Sequence, residues 1–352
     1  MTGRSQDLDV LRGIVIVDMM VMHFAGDQAI LGLPVQIVDF AVEGFLFLAG
    51  FTIGWHYLPK FRQNKWAAAS ALWGRAGKIV LIHYLMILTI SLPFWSYFYL
   101  QTVDQVVDFG LSSFLFLNQI PILHILPTFV PLFVLSPALL YLLSRNWDWS
   151  LPIGSLALFG IFVSDPNALS FGDSRIFPMI LWQVYFVFGC FLGKRVSEAR
   201  IVDSNGQLML ACVVFGLCLM LKYGGYFSTI HDWKEAYNLF PKKFPLNTLG
   251  LVHGSAFLAF VYAVFRFVSN RVKSGNPVVT VLSLIGRQSL LVFFLHAYAV
   301  FAVKALTSIG ATPALVLAAT VISLWMVFLL TKLIDRKGAE KNLPRYYKWL
   351  FS

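Results

Sequence analysis

An imidazole and a carboxylate set in apolar surroundings can move a proton, and His23 and Glu43 each lie inside a long hydrophobic run of this chain. An ionisable side chain in a bilayer costs on the order of 3 kcal/mol at mid-depth, so each is a functional candidate by default. Arg12 and His23 are 11 residues apart, which on a helix returns to within about 20° of the same face and rises roughly 16 Å. One stripe therefore carries a cation near the inner surface and an imidazole near the outer one. A second helix running back inward puts Glu43 about 10 Å below its outer end, near the depth of His23. Such a pair reads either as a general base with its orienting carboxylate or as a polar tie between two helices.

Other polar residues sort by depth. Arg75 and Lys78 open the third helix at i and i+3 and, with Arg12, form an inner basic cluster. That cluster suits phosphates, or else anchors the helix at the membrane surface. His83, deeper on the same helix, lines the same passage or packs in the core. Towards the outer side stand His124 in HILP, Trp182 and Gln183 in the sixth run, and Ser289 with His296 in the ninth. Ser289 and His296 share a helical face, and these five are candidates to line a substrate site. Arg287 faces away from His296 on a straight helix and serves packing or the inner site. Asp18 lies off the stripe of Arg12 and His23 and is expected to face another helix, whereas Asp9 is placed to start the first helix and pair with Arg12. Cys190, Cys212 and Cys218 have no metal-ligand spacing and read as buried packing residues, so no metal is expected.

The elements that must position these groups follow from composition. Of 352 residues, 58% are hydrophobic and only 12% charged, more apolar surface than a water-soluble domain can hide. Apolar runs fall at 8–25, 36–58, 72–99, 125–144, 151–164, 178–195, 207–223, 246–268, 278–301 and 312–332, most long enough to cross a hydrocarbon core of roughly 30 Å. The pattern predicts an all-α polytopic bundle of about ten transmembrane helices, a single integral membrane domain over 1–352. The run 106–120 is short, ends at Pro121 and is expected to be lateral or re-entrant. With both termini cytosolic, most of the 27 Lys and Arg fall on the inner side, the basic last ~20 residues included, as the positive-inside rule requires. The formal charge of +10 is thus spread over the gaps between runs rather than gathered on a solvated face, which argues against nucleic acid. The first run lacks a cleavage site and is expected to stay in the mature fold. The loop 224–245, with Tyr226, Trp233, Tyr237, Lys242 and Lys243, is a candidate mouth for a polar ligand.

In chain order the segments DLDVLRG, then His23, then VEGFLFLAGF, LHILP, WQVYFVFG and GRQSLLVF extend over nearly the whole sequence. This series resembles the OpgC-type succinyltransferases of osmoregulated periplasmic glucans, within the membrane acyltransferase-3 superfamily. The resemblance implies that His23 is catalytic, that Glu43 is the second-helix glutamate, and that Arg75 and Lys78 are the basic pair for acyl-coenzyme A. Its expected donor is succinyl-CoA or acetyl-CoA, its acceptor a glycan hydroxyl, and its setting the lipid bilayer of a bacterial inner membrane, with homo-oligomers allowed. Ala49 and Met22 depart from the family pattern, where serine and aspartate are common. A sugar or lipid-linked-substrate transporter and a transmembrane N-acetyltransferase are the rival readings.

Overall fold

The computed structural model describes residues 6–25, 29–30, 33–34, 39–100, 102–116, 122–123, 125–164, 179–198, 209–210, 212–217, 220, 246–269, 276–310 and 313–339. His124, Cys218, the loop 224–245 and about half of the run 207–223 lie outside them. Among the described residues the architecture is all-α apart from one two-residue antiparallel pairing, Ala29–Ile30 with Leu33–Pro34. Its helices are α1 (Gln6–Ala25), α2 (Ala41–Thr52), α3 (Leu58–Gln63), α4 (Lys65–Met86), α5 (Leu92–Phe98), α6 (Val103–Phe114) and α7 (Ile125–Ser144). There follow α8 (Ser150–Ser164), α9 (Met179–Ser197), α10 (Thr248–Ser269), α11 (Pro277–Arg287), α12 (Ser289–Ser308) and α13 (Pro313–Ala339). Single π-helical turns, Ile53–Tyr57 and Ile87–Ser91, join α2 to α3 and α4 to α5; each inserted residue rotates the face that follows it.

Five stretches among the described residues are long and apolar enough to cross a membrane: Lys65–Phe98, Ile125–Ser144, Thr248–Phe265, Ser289–Ser308 and Ala318–Arg336. The third run thus begins earlier than its hydropathy alone suggests, because Ala-rich turns carry the helix back to Lys65. The expected ninth run, 278–301, is corrected. It is two helices separated at Gln288, and the apolar stretch long enough to cross is Ser289–Ser308. A hydropathy window averages over such a turn and cannot see it. Helix α6 has 12 residues, too few to cross. It starts in a capping box between Thr102 and Gln105, buries Gly110 and Ser113, and exposes the i+4 row Val103, Val107, Leu111 and Leu115, the pattern of a lateral amphipathic piece. Of the cysteines, Cys190 is buried as expected but Cys212 is exposed.

The chain forms two compact units. The first comprises Met1–Ala41, Lys78–Pro127 and Lys273–Ser352, the second Val42–Gly77 and Thr128–Val272. In the first, α1 and α11 meet backbone to backbone: a Cβ on Gly13 would strike the Leu282 carbonyl, and one on Gly286 the Asp9 carbonyl. In the second, Gly50 and Gly54 face the carbonyls of Phe186 and Cys190, while Gly189 and Gly193 face those of Phe47 and Phe51. Both partners of that seam carry glycines four residues apart, which lets apolar helices approach where no hydrophobic drive separates protein from lipid. Gly286→Leu should therefore lower stability in detergent by about 1–3 kcal/mol, read as a drop in thermal midpoint. Gly154→Leu, where a Cβ meets nothing within 4 Å, should leave the midpoint unchanged.

Candidate active site

In the first unit, His23 ends α1 and His296 lies inside α12. His23 Nδ1 and His296 Nε2 are 3.0 Å apart, with ring planes only 9° from parallel and centroids 5.2 Å apart. Those distances differ by nearly the two ring radii, the most that geometry allows, so the imidazoles lie edge to edge, nearly coplanar, in the geometry of a hydrogen bond. His296 is fully buried, and its Nδ1 donates to the Phe293 carbonyl at 2.6 Å. At the same end of α1, Asp18 is buried and its carboxylate accepts the Phe40 amide at 2.9 Å, which ties α1 to the residue just before α2. One helical turn after the start, Asp9 and Arg12 pair at 3.2 Å as the spacing predicts.

Elsewhere in this unit, Lys78 is half-buried. His83 is almost wholly buried, 3.4 Å from the Ser113 carbonyl and 5.0 Å from the Phe116 ring. That is the setting of a packed core histidine beneath α6. Arg287 pairs with Asp335 of α13, and Gln288 donates to the other oxygen of that carboxylate at 3.2 Å. The break before Ser289 is thus pinned by one acidic side chain. An apolar cavity of about 190 Å³ lies between α1, α11, α12 and α13, bordered by Met20, Val21, Phe24, Val292, Val327 and Phe328. Thr331 also borders it, but its hydroxyl hydrogen goes to the Val327 carbonyl, and with the other lining side chains apolar the space suits hydrocarbon.

In the second unit, Glu43 is buried in the first turn of α2. Glu43 and Tyr185 of α9 converge on Gly254 of α10, where an added Cβ would strike the Tyr185 hydroxyl and come within 3.3 Å of Glu43 Oε1. Tyr185 donates to the Leu251 carbonyl at 3.3 Å, and the neighbouring His253 is buried against Phe215, ring centroids 5.6 Å apart. Gln183 is held twice by one residue: it accepts from the Ser155 hydroxyl at 2.9 Å and donates to the Ser155 carbonyl at 3.0 Å. Trp182 is fully buried, and the Arg75 guanidinium lies 5.4 Å over the Tyr57 ring. Tyr185 and His253 escaped the reading of the sequence. His253 was open to detection as an ionisable residue inside an apolar run; Tyr185 had no comparable signal.

The family model described as OpgC protein matches residues 4–337. This chain belongs to the OpgC family. It is a membrane protein with apolar helices throughout, and no curated protein and no solved structure matches it. The segments that carry the resemblance occupy a definite place in the fold. DLDVLRG ends at Gly13 and GRQSLLVF begins at Gly286, the two glycines of the α1–α11 seam. VEGFLFLAGF contains Gly50 and WQVYFVFG ends at Gly189, two glycines of the seam between α2 and α9. Four of these segments thus pair off as packing surfaces, and the polar residues Asp9, Arg12, Glu43, Gln183 and Arg287 ride on them.

Proposed function

We propose that this OpgC protein is a membrane O-acyltransferase that moves a succinyl or acetyl group from cytosolic acyl-CoA to a hydroxyl of a periplasmic glycan. The family implies glucan succinylation. The observation that carries the reading is the imidazole of His23, oriented by a second imidazole 3.0 Å away at the end of a motif-bearing helix. A nitrogen held in that way is suited to take a proton. In the proposed step, His23 accepts the proton of an acceptor hydroxyl, whose oxygen attacks the thioester carbonyl. The C–S bond breaks, and the departing thiolate takes the proton back from the imidazolium, leaving ester and free coenzyme thiol.

The role of Glu43 as supporting carboxylate rests on its depth relative to His23 along the sequence and on the motif resemblance, that of Arg75 and Lys78 as phosphate-holding cations on the resemblance, and that of Arg12 on its place in the same inner basic cluster. Helices α1, α2–α3, α8 and α9, together with the apolar run 207–223, complete ten crossings, both termini cytosolic, in a bacterial inner membrane. Arg12→Ala is expected to raise KM for acyl-CoA by on the order of 10-fold with kcat little changed, since a phosphate contact is made equally in ground and transition states. Initial rates at varied donor concentration measure it.

The break at Gln288 favours a second reading, because discontinuous helices line the sites of many transporters. Purified protein given succinyl-CoA and a linear or cyclic glucan decides between them: the enzyme releases thiol and esterifies the glucan, seen by mass spectrometry, and a transporter does neither.

A further inference from the structure

We propose that His296 is a positioning residue that holds His23 in the tautomer protonated at Nδ1, so that Nε2 is the nitrogen that takes the acceptor's proton. This rests on the reading of His23 as the base and adds which of its atoms reacts and what sets that choice. A carbonyl oxygen only accepts, so the 2.6 Å contact of His296 Nδ1 with Phe293 O places a hydrogen on that nitrogen. The neutral ring then presents Nε2 as an acceptor, because a neutral imidazole carries a single N–H. The hydrogen between the two rings must therefore come from His23 Nδ1, 3.0 Å away. A neutral His23 that gives its N–H to His296 keeps its lone pair on Nε2.

Three further features fit an orienting role. The near-coplanar rings put the donor in the plane of the acceptor lone pair. His296 has no exposure and packs edge-on to Phe293 at 5.2 Å, so its ring is fixed by the core of α12 rather than by substrate. An unassisted histidine side chain favours the opposite tautomer, with hydrogen on Nε2, so the arrangement works against an intrinsic preference. The bond also strengthens when His23 becomes an imidazolium, since a charged donor makes the stronger hydrogen bond; its benefit therefore falls on the chemical step. In serine proteases a buried carboxylate fixes the tautomer of the base; here a neutral imidazole, itself oriented by a backbone carbonyl, does so.

The test reads the tautomer without turnover. Full-length protein in lipid nanodiscs, labelled with ¹⁵N at its 7 histidines, gives two-bond ¹H–¹⁵N spectra in which the His23 signals are assigned by their loss in His23→Gln. The wild type should show His23 protonated at Nδ1. His296→Phe should move its hydrogen to Nε2 and lower kcat by on the order of 100-fold, with KM for donor and acceptor nearly unchanged. His296→Gln, whose side-chain oxygen can accept from Nδ1, should keep the wild-type tautomer and recover most of the rate. A wild-type spectrum with the hydrogen on Nε2 overturns the proposal even if no variant folds, and so does an unchanged tautomer in a folded His296→Phe. If the tautomer is as proposed but His23→Ala turns over normally, the general-base reading fails while the placement by His296 stands.

Discussion

His23→Ala should all but abolish transfer from succinyl-CoA to glucan, with kcat falling by about 10²–10⁴-fold, the range that a positioned general base contributes. The loss is expected in kcat rather than in KM for the donor, because a base acts on the developing transition state and not on the bound phosphates. The variant should remain folded. His23 is only partly buried at the last turn of α1, and His296 keeps its bond to the Phe293 carbonyl without it. Thiol release and glucan ester content, measured on the same preparation, give the answer. Full turnover by His23→Ala would remove the proposed chemistry, and loss of thiol release together with a collapsed thermal midpoint would point to a structural role instead.

The largest expected effect on stability lies in the second unit. Lys194 of α9 has no exposure, yet its ammonium is satisfied. It pairs with buried Asp148 and donates to the Leu143 carbonyl at 2.8 Å and to Asn146 Oδ1 at 3.1 Å. These partners all belong to the end of α7 and the turn into α8, where Asn146 adopts φ 60°, a conformation asparagine tolerates better than most residues. One buried cation thus holds the α7–α8 turn in shape. Lys194→Ala strands the Asp148 carboxylate, and breaking a buried pair from one side costs about 3–5 kcal/mol. The lower end is expected, because Arg195 stands 3.6 Å from the same carboxylate and takes over part of the pairing. Thermal unfolding in detergent should show the drop. Lys194→Met combined with Asp148→Leu should recover much of it, since both fully buried charges are then gone and Arg195, which loses its carboxylate, is partly exposed to its surroundings. A single variant as stable as the wild type would show that the pair is not held out of water.

The bilayer as solvent, the all-α class, an α6 too short to cross and the Asp9–Arg12 pair were legible in the amino-acid sequence. Each is a local quantity: hydropathy over a run, the length of that run, or the angle between residues a turn apart. The candidate base was legible too, because an imidazole in an apolar run is costly enough to stand out alone. What the sequence could not reveal was its partner. His296 lies 273 residues away, and its place in the ninth run points only to substrate lining; that of Gln183 does the same and gives no sign of the two bonds it makes with Ser155. The break at Gln288 was hidden because nothing in GRQSLLVF forbids a continuous helix; Asp335, far along the chain, holds the turn.

The sequence by itself determined which segments are helical and apolar and which residues are chemically out of place in them. Tertiary structure alone decided which of those residues meet. The reason is physical: in a membrane, lipid is as apolar as a helix face, so hydropathy does not say which face meets protein. Contact is set by where backbones can approach, at Gly13 against α11 and Gly50 against α9, and that fit exists only once both helices are in place.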